Sequence, residues 1–297
     1  MSFTTITVRS PAKLNLFLHI TGQRPDGYHD LQTLFQFIDL CDTLSFTPRN
    51  DSQIVLDCPD LGVAPHENLI YRAAELLQQV PTPDHTAPTR RGASIQVAKS
   101  IPAGGGLGGG SSNAATTLLV LNRLWGLHLD GDALIRLGLS LGADVPIFIH
   151  GRAALAEGVG ERFENVILEE PWYVLGIPPC HVPTARLFQE KDLTRNSAAI
   201  TLRGFLGGEG HNDFEPITRK LYPEVNAAML ALERYCKPRM TGTGACVFGS
   251  FHSQLLAEQA WKALEAERLK SGFKNTRWII AKGANFSPLH ADLSNLG

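Results

Sequence analysis

The chain has 297 residues, of which 43% are hydrophobic and 19% charged, and its formal net charge is -2. This length allows two domains with separate hydrophobic cores. The near-neutral charge offers no basic surface for nucleic acid, and no apolar run approaches the about 18–20 residues of a membrane span. The N-terminal sequence MSFTTITVRS also lacks the pattern of a secretory signal peptide. We therefore expect neither a nucleic-acid partner nor membrane association.

The cysteines are five in number, widely separated, and include no CxxC pair. This arrangement is typical of reduced thiols rather than of a disulfide framework or a zinc site. It predicts a cytoplasmic protein. The residues concerned are Cys41, Cys58, Cys180, Cys236 and Cys246.

Two strands are predicted near the N-terminus, at residues 3–9 and 12–20, because apolar and polar residues alternate there with a period of two. In the second strand, Lys13 and Asn15 share a face with Phe17, opposite a fully apolar face. This mixed face could be solvated or could belong to a functional site, and the pattern alone leaves both interpretations open.

A tight turn is predicted at Pro25–Gly27, directly before Tyr28 and His29. The composition of this segment favours an ordinary hairpin loop. Further strands are predicted at residues 34–40, 43–47 and 54–58, a helix at 67–80 and a surface loop, rich in proline, at 81–92.

A glycine-rich segment, IPAGGGLGGGSSN at residues 101–113, is the most informative stretch of the chain. Glycine allows a ligand to approach the main chain closely, and the first turn of a helix presents unpaired N–H groups. Together they predict a phosphate-binding loop. A flexible linker is the alternative, but a linker would not lead into an apolar helix with Ser111 and Ser112 as capping residues.

Two common phosphate motifs fit this segment poorly. The P-loop pattern requires lysine where Gly110 stands. The dinucleotide pattern GxGxxG is matched by Gly104, Gly106 and Gly109, with Asp130 beyond them, but a dense glycine run produces this match almost automatically. A second helical stretch also follows where a parallel strand would be needed. An NAD(P)-dependent oxidoreductase remains an alternative on this motif alone.

The rest of the chain predicts an element boundary at Asp144, before Pro146, and a hairpin at residues 151–163. We place a domain boundary near residue 165. Strands interleaved with helix pairs then predict an α+β sandwich, and the tail after Pro288 is expected to be loose. The elements predicted in this half are strands at 172–177 and 278–281 and helices at 213–221, 223–235 and 254–269.

Three segments together resemble the three motifs of the GHMP kinases: residues 11–18, 101–115 and 241–248. Four more segments narrow the resemblance to the GHMP kinases that act on a cytidine diphosphate-linked methylerythritol. They are residues 24–33, 141–148, 156–161 and 212–215. Ala103 departs slightly from the loop pattern, and residues 81–92 and 203–211 match nothing in it.

The resemblance implies a two-domain α+β fold. Residues 1–165 would form an ATP-binding domain like the second domain of ribosomal protein S5, and residues 166–297 a ferredoxin-like domain. ATP and substrate would meet in the cleft between them. The implied reaction is phosphorylation of the 2-hydroxyl of 4-(cytidine 5'-diphospho)-2-C-methyl-D-erythritol, in the non-mevalonate pathway to isoprenoid precursors. The chain would act as a monomer or a weak homodimer.

The resemblance also assigns Asp144 as the catalytic base and Lys13 as its partner. A hydroxyl nucleophile needs its proton accepted, whereas phosphoryl transfer otherwise requires positioning and charge stabilisation. Mg²⁺ is expected with the nucleotide, with Ser112 as a candidate contact but no dedicated carboxylate site. The predicted ATP-binding residues are Lys99, Pro102, Ala103, Gly104, Gly105, Gly106, Leu107, Gly108, Gly109, Gly110, Ser111 and Ser112.

The resemblance further implies that Tyr28 and Phe188 close on opposite faces of the cytosine, with His29 at its polar edge. Asn15 and Thr184 would hold the methylerythritol part. The simpler alternative is that Phe188 packs in the C-terminal core and Tyr28 caps a hairpin. Two other functions also remain open: a catalytically silent nucleotide or metabolite sensor, and a kinase for mevalonate or homoserine.

Overall fold

The computed structural model describes residues 4–25, 27–59, 62, 64–81, 90–270 and 276–295. Within these ranges the strands are β1 (Ile6–Gln23), β2 (His29–Arg49), β3 (Ile54–Asp57), β4 (Gly92–Ala98), β5 (Ala154–Gly158), β6 (Arg162–Asn165), β7 (Trp172–Ile177), β8 (Arg239–Met240), β9 (Val247–Phe251) and β10 (Arg277–Ala284). The helices are α1 (Leu69–Gln78), α2 (Gly109–Leu124), α3 (Gly131–Leu141), α4 (Val145–His150), α5 (Thr184–Phe188), α6 (Leu202–Leu206), α7 (Glu215–Leu221), α8 (Pro223–Glu233), α9 (Gln254–Lys270) and α10 (Pro288–Ser294).

The first two strands are longer than predicted. Strand β1 joins residues 6–9 of the first predicted run to the run at 12–20, and β2 includes the runs at 34–40 and 43–47; residue 3 lies outside the described residues. The two strands pair antiparallel, with a shift in register between Pro11 and Ala12. Such an irregularity lets one strand continue past a proline. The sequence pattern is interrupted at these points, whereas the strands are not.

The sheet connects the two halves of the chain. Its main strand order is β3-β4-β2-β10-β7-β9-β8, and β1 and β5 also pair with β2. Strand β10 pairs with β7 along Arg277–Lys282 and then with β2 at Gly283 and Ala284. The last strand of the chain therefore returns to the N-terminal strands and holds the halves together.

Among the described residues, three groups of buried side chains form the core. The first packs α1 to α4 against the N-terminal strands and includes Phe37, Phe46 and Leu118. The second packs α7, α8 and α9 against the C-terminal strands. The third lies between them and contains Leu14 of β1 and Leu175 of β7. The helices and the mixed sheet agree with the predicted α+β class.

Among the described residues, the tail from Pro288 to Ser294 forms a helix, so the expectation of a loose tail is wrong there. Pro288 opens α10, where its missing N–H costs no hydrogen bond. Leu289 is completely buried in the N-terminal core. The carboxylate of Asp292 forms an ion pair with Arg9, with 2.6 Å between Oδ1 and Nη2. Burial and this long-range pair stabilise the helix.

The local predictions around the turns agree with the structure. The backbone N–H of Gly27 donates to the carbonyl of Arg24 at 3.0 Å, closing the predicted turn, although Asp26 lies outside the described residues. Asp144 stands directly before α4, whose first turn contains Pro146, so the element boundary is confirmed. Strands β5 and β6 form the predicted hairpin. Residues 82–89 of the proline-rich loop are outside the described ranges.

No helix in the described part of the chain is both long enough and apolar enough to cross a membrane.

Candidate active site

The glycine-rich loop joins β4 to α2 and takes left-handed backbone conformations at alternate positions. The φ angles are 69° at Gly104, 74° at Gly106 and 75° at Gly108. Gly108 is the N-cap of α2, so the expected capping by Ser111 and Ser112 is wrong. The first backbone bond into the helix runs from Ser112 N to Gly108 O at 2.8 Å. The amides before Ser112 in the first turn therefore have no acceptor within the helix.

The base of this loop is fixed by Asp42, which is completely buried in β2. Its Oδ1 accepts hydrogen bonds from the backbone N–H groups of Ser100 and Ile101 at 2.7 and 2.9 Å. Its Oδ2 accepts from Asn113 at 3.0 Å and forms an ion pair with Lys99. No pattern in the sequence indicated this role, because a single aspartate within a strand is not distinctive.

The loop is also fastened to the C-terminal half of the chain. The hydroxyl of Thr241 donates to the carbonyl of Gly106 at 3.1 Å and accepts from the backbone N–H of Asn15 at 3.0 Å. The backbone N–H of Cys246 donates to the carbonyl of Gly105 at 3.1 Å. The three segments that carry the kinase resemblance are thus in direct contact.

Lys13 and Asp144 form an ion pair, with 3.0 Å between Nζ and Oδ2. The lysine side chain is 1% exposed, whereas the aspartate side chain is 38% exposed. The buried ammonium also donates to Asn15 Oδ1 and lies 5.3 Å from the centre of the Phe35 ring. The solvated interpretation of this strand face is therefore wrong, and the pair presents its carboxylate to the solvent.

Two cavities meet beside this ion pair. The smaller has a volume of about 560 Å³ and the larger of about 830 Å³. The glycine-rich loop lines the smaller cavity, and β1, α5 and the turn before β2 line the larger one. The residues that line both are Gly104, Gly106, Ser111, Asp144 and His181. A group carried from one cavity to the other would pass the Asp144 carboxylate.

The predicted nucleotide residues line the smaller cavity, except for Ser112. Lys99 and the whole run from Pro102 to Ser111 lie in its wall. The Ser112 side chain is completely buried, and its hydroxyl is 2.8 Å from that of Ser10. Ser112 therefore lies on the inner face of α2, outside the cavity wall. Ser111, one position earlier, faces both cavities instead.

The predicted substrate residues all line the larger cavity. The ring of His29 stacks on Phe188, with centroids 4.7 Å apart, and Phe214 meets Phe188 edge-on at 5.0 Å. Tyr28 is 67% exposed. His29, rather than Tyr28, is thus parallel to Phe188, which differs from the expected arrangement. Phe188 also contacts the C-terminal core, as the simpler alternative proposed.

His29 has an unusual environment. Burial and, to a smaller extent, the charge of Arg195 lower the pKa of its imidazole. Its Nε2 is buried without a hydrogen-bond partner among the described residues. A neutral imidazole with an unused nitrogen is suited to a polar group of a ligand.

The two remaining substrate residues already contact other side chains. The amide of Asn15 accepts from Lys13 and donates to the hydroxyl of Thr33 at 2.9 Å. Asn15 therefore positions the lysine, a role that the sequence did not suggest. The hydroxyl of Thr184 is 2.9 Å from that of Thr243 at the surface of the cavity.

Two family models match the chain: the N-terminal domain of GHMP kinases at residues 68–152 and the C-terminal domain at residues 184–270. A 4-diphosphocytidyl-2-C-methyl-D-erythritol kinase from Methylococcus capsulatus is 48% identical over 99% of this chain and 97% of its own length. The protein of the same name from Pseudomonas aeruginosa strain PAO1 is 47% identical over 98% of both chains.

Solved structures give the same result. A crystal structure of 4-(cytidine 5'-diphospho)-2C-methyl-D-erythritol kinase superposes with a TM-score of 0.77 at 32% identity and covers 94% of this chain and 99% of its own. Methanococcus jannaschii mevalonate kinase shares the fold alone, with a TM-score of 0.64 at 16% identity over 96% and 99% of the two chains. The predicted two-domain GHMP kinase fold is confirmed. The chain belongs to the 4-diphosphocytidyl-2-C-methyl-D-erythritol kinase family of the GHMP kinases.

Proposed function

We propose that this chain transfers the γ-phosphoryl group of ATP to the 2-hydroxyl of 4-(cytidine 5'-diphospho)-2-C-methyl-D-erythritol, within the non-mevalonate pathway. The observation that carries this proposal is the Lys13–Asp144 pair at the junction of two cavities. One cavity has the backbone of a phosphate site, and the other has aromatic side chains for a base. Family membership supports the same substrate.

The smaller cavity binds ATP in this proposal. The amides of the first turn of α2 and of the loop before it donate to the phosphates, and the positive end of the helix favours their charge. Lys99 lies beside this backbone, but it is already paired with Asp42. The protein therefore holds the phosphates mainly through its main chain.

The chemical step uses Asp144 and Lys13. Asp144 accepts the proton of the 2-hydroxyl as the alcohol oxygen bonds to the γ-phosphorus and the electron pair of the broken bond leaves with ADP. The Lys13 ammonium, 3.0 Å from the carboxylate, orients it and stabilises the alcohol oxygen as it gains charge. Asn15 holds Lys13 in this position.

The larger cavity binds the cytidine diphosphate-linked alcohol. Tyr28, His29 and Phe188 offer flat surfaces for the base at one end, and Asp144 lies where this cavity meets the nucleotide site. The unused Nε2 of His29 accepts a hydrogen bond from the cytosine. Thr184 contacts the methylerythritol part. A base held far from the reacting hydroxyl would fix the orientation of a flexible substrate.

The kinase family implies Mg²⁺ with the nucleotide. Mg²⁺ in such sites takes only one or two protein oxygens, because phosphates and water supply the rest. Ser111 and Glu67 supply oxygens in the wall of the nucleotide cavity, so the residues fit this ion. No group of three or more His, Cys, Asp or Glu in the described part of the chain could hold a metal ion by itself. Bound Mg²⁺ would neutralise the charge of the phosphates.

The proposal includes three further points. Residues 1–165 and 166–297 act as the two domains, with the glycine-rich loop and α5 on opposite sides of the cleft. The chain acts as a monomer or a weak homodimer. It works in the cytoplasm, where ATP and reduced thiols are found.

The decisive experiment measures ADP release with a panel of alcohols. We expect turnover with the cytidine diphosphate-linked methylerythritol and much weaker turnover with free methylerythritol, mevalonate and homoserine. The Asp144→Asn variant in the same assay shows how much of the signal comes from this site. Efficient phosphorylation of mevalonate or homoserine would contradict the proposed substrate. A chain without turnover on any alcohol would contradict the kinase function.

A further inference from the structure

His181 lies at the junction of the two cavities, where no function has been assigned to it. It belongs to the segment between β7 and α5, in the C-terminal half of the chain. Only three of the five residues that line both cavities have functional side chains: Ser111, Asp144 and His181. The transferred phosphoryl group must pass this junction under the proposed function, so each of these side chains can contact it.

The imidazole of His181 stands against the glycine-rich loop. A methyl group built on Gly104 would lie 2.6 Å from Nδ1 of His181, which is closer than side-chain atoms can approach. Gly104 also has a φ of 69°, so a side chain would be strained there in any case. Glycine at this position therefore leaves room for the histidine ring beside the phosphate-binding backbone.

The other cations in the two cavities are already engaged. Lys13 and Lys99 are the lysine or arginine side chains that the described residues place in the cavity walls. Each forms an ion pair, Lys13 with Asp144 and Lys99 with Asp42. The ring of His181 makes no hydrogen bond or ion pair with any described residue, and the side chain is exposed to the cleft. Together with the Ser111 hydroxyl, it is thus a side-chain donor at this junction that can serve a phosphate group.

We propose that His181 donates an N–H hydrogen bond to the γ-phosphate of bound ATP, across the cleft from the first turn of α2. This inference rests on the proposed function. The transferred group carries charge on its three outer oxygens, and donors aimed at this charge favour transfer. Because ADP lacks the γ-phosphate, the contact would let the enzyme distinguish its substrate nucleotide from its product. A residue from the C-terminal half would also bring the halves together around ATP.

The test compares two substitutions that separate the donor from the ring. His181→Gln keeps an N–H donor and loses the ring, whereas His181→Phe keeps the ring against Gly104 and loses the donor. The affinities for ADP and for a non-hydrolysable ATP analogue are measured by calorimetry with Mg²⁺. His252→Phe provides a matched control, because His252 is exposed beyond β9 and lines neither cavity.

We expect His181→Phe to lower the affinity for the ATP analogue by about 10–100-fold, the usual loss of a hydrogen bond to a charged group, and to leave the affinity for ADP within about twofold. His181→Gln should retain most of the preference for the ATP analogue. If the ring only supports the loop, the order reverses: His181→Phe is then normal and His181→Gln weakens both nucleotides. That result, or an unchanged preference in His181→Phe, would overturn the inference.

Turnover of the unmodified chain separates this inference from the proposed function. The unmodified chain could release ADP with the cytidine diphosphate-linked alcohol while His181→Phe keeps an unchanged nucleotide preference. That result would contradict the role of His181 and leave the proposed function intact. If the unmodified chain released no ADP, the proposed function itself would be contradicted.

Discussion

The Lys13 ammonium is 3.0 Å from the Asp144 carboxylate, and both residues line the larger cavity, but the lysine side chain is 1% exposed and the aspartate side chain 38%. The lysine ammonium also donates a hydrogen bond to the side-chain oxygen of Asn15, and the amide nitrogen of Asn15 donates to the hydroxyl of Thr33. This asymmetry assigns different tasks to the two charges. The exposed carboxylate can contact the substrate hydroxyl, while the buried ammonium orients and stabilises the carboxylate.

The first prediction concerns this pair. Asp144→Asn and Lys13→Ala should each lower kcat by about 10²–10⁴-fold, the usual contribution of positioned acid–base groups. The affinity for ATP should change little, because neither side chain supplies the phosphate-binding backbone. Steady-state kinetics with ATP and the cytidine substrate provide the measurement. Asp132→Asn, at the start of α3 and outside both cavities, is the control.

The double variant tests whether the two residues act as a unit. Its loss of kcat should be smaller than the product of the single losses, since residues of one catalytic group are not additive. Losses that simply multiply would show two independent contributions and would contradict the pairing.

The second prediction concerns close approach of ATP to the main chain. Gly110 is exposed in the first turn of α2, and a methyl group there would have Leu69 Cδ1 as its nearest neighbour at 3.8 Å. Gly110→Leu should therefore fold well, and it should gain about 0.5–1 kcal/mol from better helix propensity. The side chain should nevertheless obstruct the phosphates and lower ATP affinity by about 10–100-fold, the loss of one hydrogen bond to a charged group.

Thermal melting and calorimetry on the same sample separate these effects. Gly131→Leu is a matched control at the first position of α3, where an added methyl group meets nothing within 4 Å. Gly106 is unsuitable, because its methyl group would lie 2.3 Å from the Thr241 carbonyl oxygen. Gly109 is ambiguous, since its methyl group would meet Ile101 at 3.0 Å. Normal ATP binding by Gly110→Leu would exclude close phosphate approach.

The composition of residues 101–113 was sufficient to predict this loop, whereas the Lys13–Asp144 pair was expected only from the resemblance to the GHMP kinases. The sequence could not show which way Ser112 faces. That direction depends on the residue at which α2 begins, and the helix begins at Gly109 after a left-handed Gly108 rather than at a serine cap. A displacement by one residue rotates a helical side chain by about 100°.

Long-range contacts explain the other differences. Asp42 and His181 lie beside the loop but come from distant parts of the chain, so no local sequence pattern predicts their positions. The ordered tail depends likewise on the pair between Asp292 and Arg9, whose partners are separated by almost the whole chain. Strand β1 continues past Pro11 because β2 supplies a partner on both sides of the irregularity.

The third prediction concerns the cytosine. Tyr28→Ala should raise the KM for the cytidine substrate by about 5–100-fold, the range expected from the loss of base stacking, and should leave the KM for ATP unchanged. Tyr28 is 67% exposed, so the melting temperature should also be retained. Tyr235→Ala removes another surface tyrosine, away from both cavities, and serves as the control.

Phe188 requires a different interpretation. It contacts Phe214 and the C-terminal core, so Phe188→Ala should lower both stability and substrate affinity. Phe188→Leu retains much of the apolar volume and separates the two effects. A Phe188→Leu enzyme with normal stability and a normal KM would show that this ring only packs, as the simpler interpretation holds.

The last prediction concerns pH and the recognition of cytosine by His29. Burial lowers the pKa of this imidazole, so the neutral form persists below the ordinary histidine pKa of about 6.5. A neutral Nε2 can accept a hydrogen bond from the amino group of cytosine, whereas a protonated ring cannot. The KM for the cytidine substrate should therefore stay constant through neutral pH and rise only in the acidic range, as the ring becomes protonated.

The uridine analogue, whose base has a carbonyl oxygen in place of the amino group, should show the opposite trend, because a protonated ring can donate to that oxygen. His29→Gln should lose the pH dependence, and its discrimination between the two substrates should fall, since a buried polar partner confers such selectivity. His211→Gln is the control, because His211 lies outside both cavities. If KM rose equally at acidic pH in the unmodified enzyme and in His29→Gln, the rise would come from another titrating group. His29 would then not recognise the cytosine.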